Sequence, residues 1–327
     1  MFNLVSFILL LTCALPASSS WYYYQQNAMG TKIIVKLWHT DEKTARECSD
    51  KVFSEVSRID VLMNPAKSNS ELTRINREAA LRPVSISTEM QALLEKSLEF
   101  SRLTHGIFDI TFASVGQFYD YRKKIQPSIN TIKQTLPQIN YQHIKLQKTS
   151  IKFNRPGVSL DLGGIAKGYA VDRSIRILQD CGINEALVSA GGDSRLLGDK
   201  LGQPWMMAIQ HPRQKQAIAV RLPLTNSAIS TSGDYERFFF HQGERVHHII
   251  DPKTGKSAIK SWSATVIGPD TTSTDALSTS VFILGADKGM SLIESLPEFE
   301  AVIIDNTGKM RYSSGLQSAD NNNHASQ

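Results

Sequence analysis

Apolar and polar positions follow two different periods along this chain. Residues 42–63 set Ala45, Cys48, Val52, Val56, Ile59 and Met63 near helical spacing, which predicts an amphipathic helix broken by Asn64-Pro65. Residues 87–104 repeat that period with Met90, Leu93, Leu94, Leu98 and Phe100, and Ser87 stands where an N-cap belongs. Ser70–Asn76 reads as a short helix or turn, and 117–142, polar and carrying two prolines, as loop with a short helix. The strand signal opens at residues 33–38 (Ile-Ile-Val-Lys-Leu-Trp) and dominates from 144 onward. Strands are predicted at 144–153, 157–160, 186–190, 205–210, 217–222 and 264–267, with helices at 165–180, 274–284 and 287–295. Phe238–Phe240 and Val246–Ile250 bracket Gln242-Gly243, and Val302–Ile304 and Lys309–Tyr312 bracket Asn306-Thr307-Gly308, two hairpin signals. Helices early, strands late and no strict β-α-β alternation predict an α+β fold. No internal repeat is present.

Composition narrows the class. The 327 residues are 41% hydrophobic and 20% charged, ordinary values for a globular chain with a large core. The net charge of +5 is spread, with no run of five like charges, so no nucleic-acid arm and no nucleic-acid partner is expected. A mild positive field suits an anionic small molecule. The first twenty residues carry no charge and run from Phe2 to Leu15 as an apolar stretch before Pro16-Ala17-Ser18-Ser19-Ser20. Residues 1–20 are therefore expected to be a signal peptide, with a membrane anchor or a lipid on Cys13 as alternatives. The polar tail, residues 317–327, is expected to be disordered. Cys48 and Cys181 can pair in an oxidising compartment but are read as two separate buried thiols.

Six segments carry candidate chemistry. Asp161–Asp172 (D-L-G-G-I-A-K-G-Y-A-V-D) puts a carboxylate and a glycine pair before a helix, where backbone N–H groups suit a phosphate. It is not a Walker A loop, because Tyr169 stands where lysine belongs, and G-x-G-x-x-G is absent. A tight strand-to-helix turn is the commoner use of a lone Gly-Gly. Gly106–Thr111 (G-I-F-D-I-T) combines a helix-ending glycine with Asp109, and Ser189–Asp193 (S-A-G-G-D) follows a strand. Ile229–Arg237 (I-S-T-S-G-D-Y-E-R) offers the hydroxyls of Ser230, Thr231 and Ser232, and His247–Gly255 (H-H-I-I-D-P-K-T-G) follows after an apolar strand. Thr274–Thr279 (T-D-A-L-S-T) places Asp275 and Thr279 four residues apart, so one helix face presents a carboxylate and a hydroxyl. Such hard oxygens suit Mg²⁺, although capping polars at a helix start look the same in sequence.

The order of these segments, with Met29-Gly30-Thr31 before them and Ser70–Asn76 (S-E-L-T-R-I-N) between, resembles the ApbE family, the FAD:protein FMN transferases. The resemblance implies a single T-fold-related domain over residues 21–316, with N-terminal helices and a mainly antiparallel sheet. It implies Mg²⁺-dependent transfer of FMN from FAD to a Thr or Ser hydroxyl of an acceptor protein, with AMP leaving. It carries Met29, Ile107, Phe108, Asp109, Gly163, Lys167 and Ser232 to the nucleotide, and Asp275, Thr279 and the carbonyl of Ala166 to the metal. His248 matches the family's H-x-I-D-P histidine and is the expected catalytic residue. Ala66 stands where many members carry a tyrosine stacked on the flavin, and Ser278 where some carry a second aspartate. The implied setting is the periplasm, at the inner membrane. The implied acceptor is a membrane redox subunit of the Na⁺-translocating quinone reductase or Rnf type, or a periplasmic flavoprotein. Two other readings stay open: a Mg²⁺-dependent FAD pyrophosphatase giving FMN and AMP, and a non-enzymatic FAD-binding protein.

Overall fold

A computed structural model of the chain describes residues 20–317. Residues 1–19 of the expected signal peptide, Cys13 among them, and the tail from Ser318 lie outside them, whereas Ser20 already belongs to the first strand. The described chain opens with a hairpin, β1 (Ser20–Ala28) and β2 (Thr31–His39), then α1 (Glu42–Met63) and α2 (Glu71–Glu78). After β3 (Val84–Ser85) come α3 (Thr88–Leu103), α4 (Ala113–Gly116) and α5 (Ile129–Thr135). The strands β4 (Ile144–Gln147) and β5 (Ser150–Phe153) precede the glycine loop and α6 (Ala166–Asp180). Then follow β6 (Ala186–Ala190), β7 (Asp193–Leu197), β8 (Trp205–Gln210), β9 (Ile218–Leu224) and β10 (Ala228–Gly233). Hairpins β11 (Phe238–His241) with β12 (Glu244–His247), and β13 (Ile250–Asp251) with β14 (Lys256–Ser257), lead to β15 (Ser261–Gly268). The chain closes with α7 (Thr271–Leu284), α8 (Ala286–Glu294), β16 (Glu300–Asp305) and β17 (Met310–Tyr312).

Eight strands form one sheet in the order β1-β2-β6-β7-β10-β15-β16-β17, and each neighbouring pair is antiparallel. The α+β class and the antiparallel sheet expected above are thus present. Side-chain alternation splits the strands between two layers. Ala264 and Val266 of β15 and Ala301 and Ile303 of β16 join the main core under the helices. Ile267 and Val302 face the other side, where Ile209 and Leu222 of the β8–β9 hairpin cover them. Helix α1 lies against β1 and β2, α6 against β6 and β7, and α7 against β10 and β15. The amphipathic period of α1 is used as predicted, with Ala45, Cys48, Val52, Val56, Ile59 and Met63 buried.

Several expectations need correction. The strand at 33–38 is the second, not the first. Ser20–Ala28 pairs with it from Ser20↔His39 to Ala28↔Thr31, leaving Met29-Gly30 as a two-residue turn. Both turn residues have positive φ, 52° and 70°, the geometry that a type I′ hairpin requires and that glycine adopts freely. Residues 157–160 are not a strand. Instead the Asn76 side-chain amide pins that backbone, accepting from the Leu160 N–H at 2.8 Å and donating to its carbonyl at 2.9 Å. Cys48 and Cys181 are not separate thiols. They form a disulfide with Cα atoms 6.3 Å apart, because α1 and α6 lie side by side and bring the two positions within bridging reach.

Candidate active site

The site grows from the contact between the starts of α6 and α7. Gly168 makes that contact possible: a Cβ there would lie 2.2 Å from the Thr271 carbonyl oxygen. The start of α7 is held by two carboxylates. Asp270 caps it through the Ser273 N–H at 2.7 Å. Asp172, from the next turn of α6, accepts from the N–H groups of Thr271 and Thr272, both at 2.8 Å, and from the Thr272 hydroxyl. The last residue of the D-L-G-G-I-A-K-G-Y-A-V-D segment therefore fixes α7 against α6.

This docking sets Asp275, one turn into α7, over the first turn of α6. Its carboxylate accepts from the Gly168 N–H at 3.1 Å. The Lys167 ammonium lies 3.1 and 3.3 Å from its two oxygens, 2.7 Å from Asp193 and 3.1 Å from the Gly163 carbonyl. Both carboxylate side chains are nearly sealed from solvent, at 3% and 4% exposure. Burial and the negative charge of Asp193 push the Asp275 carboxyl above the usual carboxylate range. Burial acts to lower the Lys167 pKa, but the two carboxylates outweigh it and hold the ammonium charged.

One turn further on α7, the Thr279 hydroxyl is 3.3 Å from that of Ser232, which also lies 2.9 Å from the Ser278 hydroxyl. A Cβ on Gly164 would sit 3.4 Å from both the Thr279 hydroxyl and the Phe108 ring, so the glycine loop closes over both residues. Asp161 accepts from the Gly163 N–H at 2.6 Å and so shapes that loop. Helix α6 has Ile165 at its N-cap position and no side-chain cap, as is also true of α4 and α8, whereas α1, α2, α3, α5 and α7 are capped by a side chain.

A second cation comes from β10's exit. Arg237 reaches the Gly30 carbonyl at 3.3 Å and so ties the Met29-Gly30 turn to this side of the site. His248 accepts a different constraint: its N–H donates to the Arg237 carbonyl at 3.2 Å. Its Nδ1 is buried with no hydrogen-bond partner among the described residues. Burial, then the neighbouring His247, Arg237 and Lys167, push its pKa down to about 3, so the ring is neutral and, in these surroundings, a weak base.

The ApbE family profile matches residues 29–303, most of the chain. The chain belongs to the ApbE family. A Treponema pallidum FAD:protein FMN transferase is 29% identical over 289 residues, covering 82% of this chain and 79% of the relative. A relative of the same name from Escherichia coli K12 is 31% identical over 282 residues, covering 81% and 79%. A crystal structure of an ApbE protein from Thermotoga maritima superposes with a TM-score of 0.84 at 30% identity, covering 91% of this chain and 99% of that one. The flavin transferase ApbE from Vibrio cholerae gives 0.81 at 26%, covering 92% and 99%.

Within this ApbE chain the expected residues divide into groups. Gly163, Ala166, Lys167, Ser232, Asp275 and Thr279 gather where α6 meets α7, with Phe108 against the glycine loop. Among the described residues no three His, Cys, Asp or Glu side chains cluster as a metal site. The Mg²⁺ set expected here is different in kind: one carboxylate, one hydroxyl and one backbone carbonyl. Its chemistry fits a hard cation, and the ammonium resting on Asp275 shows that the carboxylate accepts positive charge from this side. Ile107 and Phe108 are core residues, and Asp109 is engaged internally by Thr111 and by the Tyr141 N–H. Ala66 is exposed on the α1–α2 connection, where its N–H bonds locally to Asn64. Asp193, Arg237 and Asp161 were not among the expected site residues. The Gly-Gly-Asp after a strand was the available signal for Asp193, and the Asp before Gly-Gly for Asp161.

Proposed function

We propose that this protein is an FAD:protein FMN transferase, moving FMN from FAD to a Thr or Ser hydroxyl of an acceptor protein and releasing AMP. The observation that carries the reading is the buried Lys167–Asp275 pair beside Thr279, at the start of a helix with no side-chain cap. Breaking a phosphoanhydride needs charge neutralisation and positioning rather than covalent help from the protein. Asp275, Thr279 and the Ala166 carbonyl would hold Mg²⁺, which supplies charge neutralisation at the diphosphate when bound. Lys167 adds a fixed positive charge there, and Gly163 and Gly164 let the backbone approach. Ser232 orients Thr279 by its hydroxyl contact. His248, with its buried Nδ1 unpartnered, would take the proton from the acceptor hydroxyl once the anionic diphosphate of FAD offsets the cations that depress its pKa.

The acceptor we propose is a membrane redox subunit of the Na⁺-translocating quinone reductase or Rnf type, or a periplasmic flavoprotein, met after export of this chain. The Cys48–Cys181 disulfide supports an oxidising compartment. No described helix is long and apolar enough to cross a membrane. The test of the His248 role is His248→Ala. Transfer to a threonine-bearing acceptor should be lost while FAD binding, followed by flavin fluorescence, is retained. An unchanged transfer rate would remove His248 from the chemistry.

A further inference from the structure

The Lys167 ammonium is shared between two sealed carboxylates, and the sharing is unequal. It is 2.7 Å from Asp193 and 3.1 Å from Asp275. Asp275 has a second donor in the Gly168 N–H, whereas Lys167 is the side-chain partner of Asp193 among the described residues. Asp193 is not free to move away. It opens β7, where it pairs with Ala190 of β6 and Ser230 of β10. The preceding Gly192 carbonyl accepts from the Thr231 N–H at 3.0 Å. A rigid buried carboxylate thus stands beside the expected metal ligand with one function available to it, holding the lysine.

We propose that Asp193 is a positioning residue that draws the Lys167 ammonium off Asp275, so that the Asp275 carboxylate can take up a divalent cation. A dication on Asp275 repels an ammonium about 3 Å from the same oxygens, and at low local dielectric that repulsion is strong. With Asp193 present the ammonium keeps a full ion pair and a short contact as it yields Asp275. With asparagine there, the lysine's remaining carboxylate is Asp275 itself, and it competes with the metal. This inference rests on the reading of Asp275 as a metal ligand.

The test is a double-mutant cycle read by Mn²⁺ binding to the full mature chain, followed by electron paramagnetic resonance, without FAD or acceptor. Asp193→Asn should weaken Mn²⁺ about tenfold, the scale on which residues supporting metal ligands act. Lys167→Met should bind Mn²⁺ more tightly than the parent, because the competitor is gone. In the Lys167→Met background, Asp193→Asn should lose most of its effect. An equal loss in both backgrounds would overturn the proposal, since Asp193 would then act by its own charge or by structure. Should Asp193→Asn fail to fold, Lys167→Met decides alone: unchanged or weaker Mn²⁺ binding overturns the proposal. Asp275→Asn separates the two claims. If it leaves Mn²⁺ binding intact, the metal reading fails and this inference with it. If Asp275 matters and Asp193 does not, this inference alone fails.

Discussion

Gly168→Ala tests the geometry on which the whole site depends. The new Cβ would meet the Thr271 carbonyl oxygen at 2.2 Å, its carbon at 2.7 Å and the Thr272 Cα at 2.9 Å. All three are backbone atoms, so no side chain can rotate aside. Ordinary contact begins near 3.4 Å, so α6 and α7 must part by about 1.2 Å along that direction. Overpacking of this kind costs ~1–3 kcal/mol, and the better helix propensity of alanine returns about 1 kcal/mol. The net loss is roughly 1 kcal/mol, at most about 2, which corresponds to a melting temperature lower by about 2 °C in a domain of this size. The functional loss should exceed the stability loss. The same displacement breaks the Gly168 N–H bond to Asp275 and moves Asp275 and Thr279 away from Ala166. A site for a small cation with strict ligand distances does not tolerate such a shift, so Mn²⁺ affinity should fall at least about tenfold. Thermal melting and metal titration on the same sample check both parts. A melting temperature at or above that of the parent, with unchanged metal affinity, would refute the helix-contact reasoning.

Three further outcomes follow from the structure. His248 has a folded pKa pushed down to about 3, against about 6.5 in an unfolded chain. The unfolded state therefore takes up a proton first, and the folded state loses stability as pH falls below about 6.5 towards 3, while the effect is flat above. Relative to His248→Ala, the parent should lose stability in that window, as denaturant melts at several pH values would read; a difference independent of pH would contradict the burial of the ring. The disulfide closes a loop of 133 residues, so the double substitution Cys48→Ser and Cys181→Ser should cost about 3–5 kcal/mol in chemical denaturation, and reductant should do the same to the parent. Asp172→Asn removes a carboxylate that holds two N–H groups and a hydroxyl at the start of α7, and should cost ~1–2 kcal/mol with a parallel loss of metal affinity.

What the sequence made legible was the chemistry held within one element. Asp275 and Thr279 share a face of α7 because helical spacing puts them there, and Lys167 follows the glycine pair on α6. Ser87 caps α3 through the Met90 N–H, as its place before an apolar period predicts. Three strands of the main sheet gave no usable signal. β1 (Ser20–Ala28) is an edge strand whose side chains are largely exposed, so it shows no apolar alternation and is fixed by its register with β2. β7 and β10 are short, and their buried positions include Asp193, Ser194 and Ser230, which hydrophobic periodicity does not find. The same blindness hid the Asp193–Lys167 pair. It joins residues on different elements, and only the β6–β7 turn and the α6 start brought together reveal it. Residues 157–160 misled in the opposite sense: the alternating Val158-Ser159-Leu160 is held by the Asn76 side chain rather than by a strand partner. The cysteines carried no pairing information until α1 and α6 were seen side by side.

The central claim is flavin transfer to a protein. Its most direct measurement incubates the mature protein with FAD and Mg²⁺, with and without a threonine-bearing acceptor domain. Intact-mass spectrometry reads the acceptor, and chromatography reads the nucleotides. The expected result is an FMN-sized mass gain on the acceptor, with AMP released only when the acceptor is present. Free FMN and AMP without acceptor would contradict transfer and make the site a pyrophosphatase, in which water replaces the protein hydroxyl. FAD left intact under every condition would contradict both and leave a flavin-binding protein.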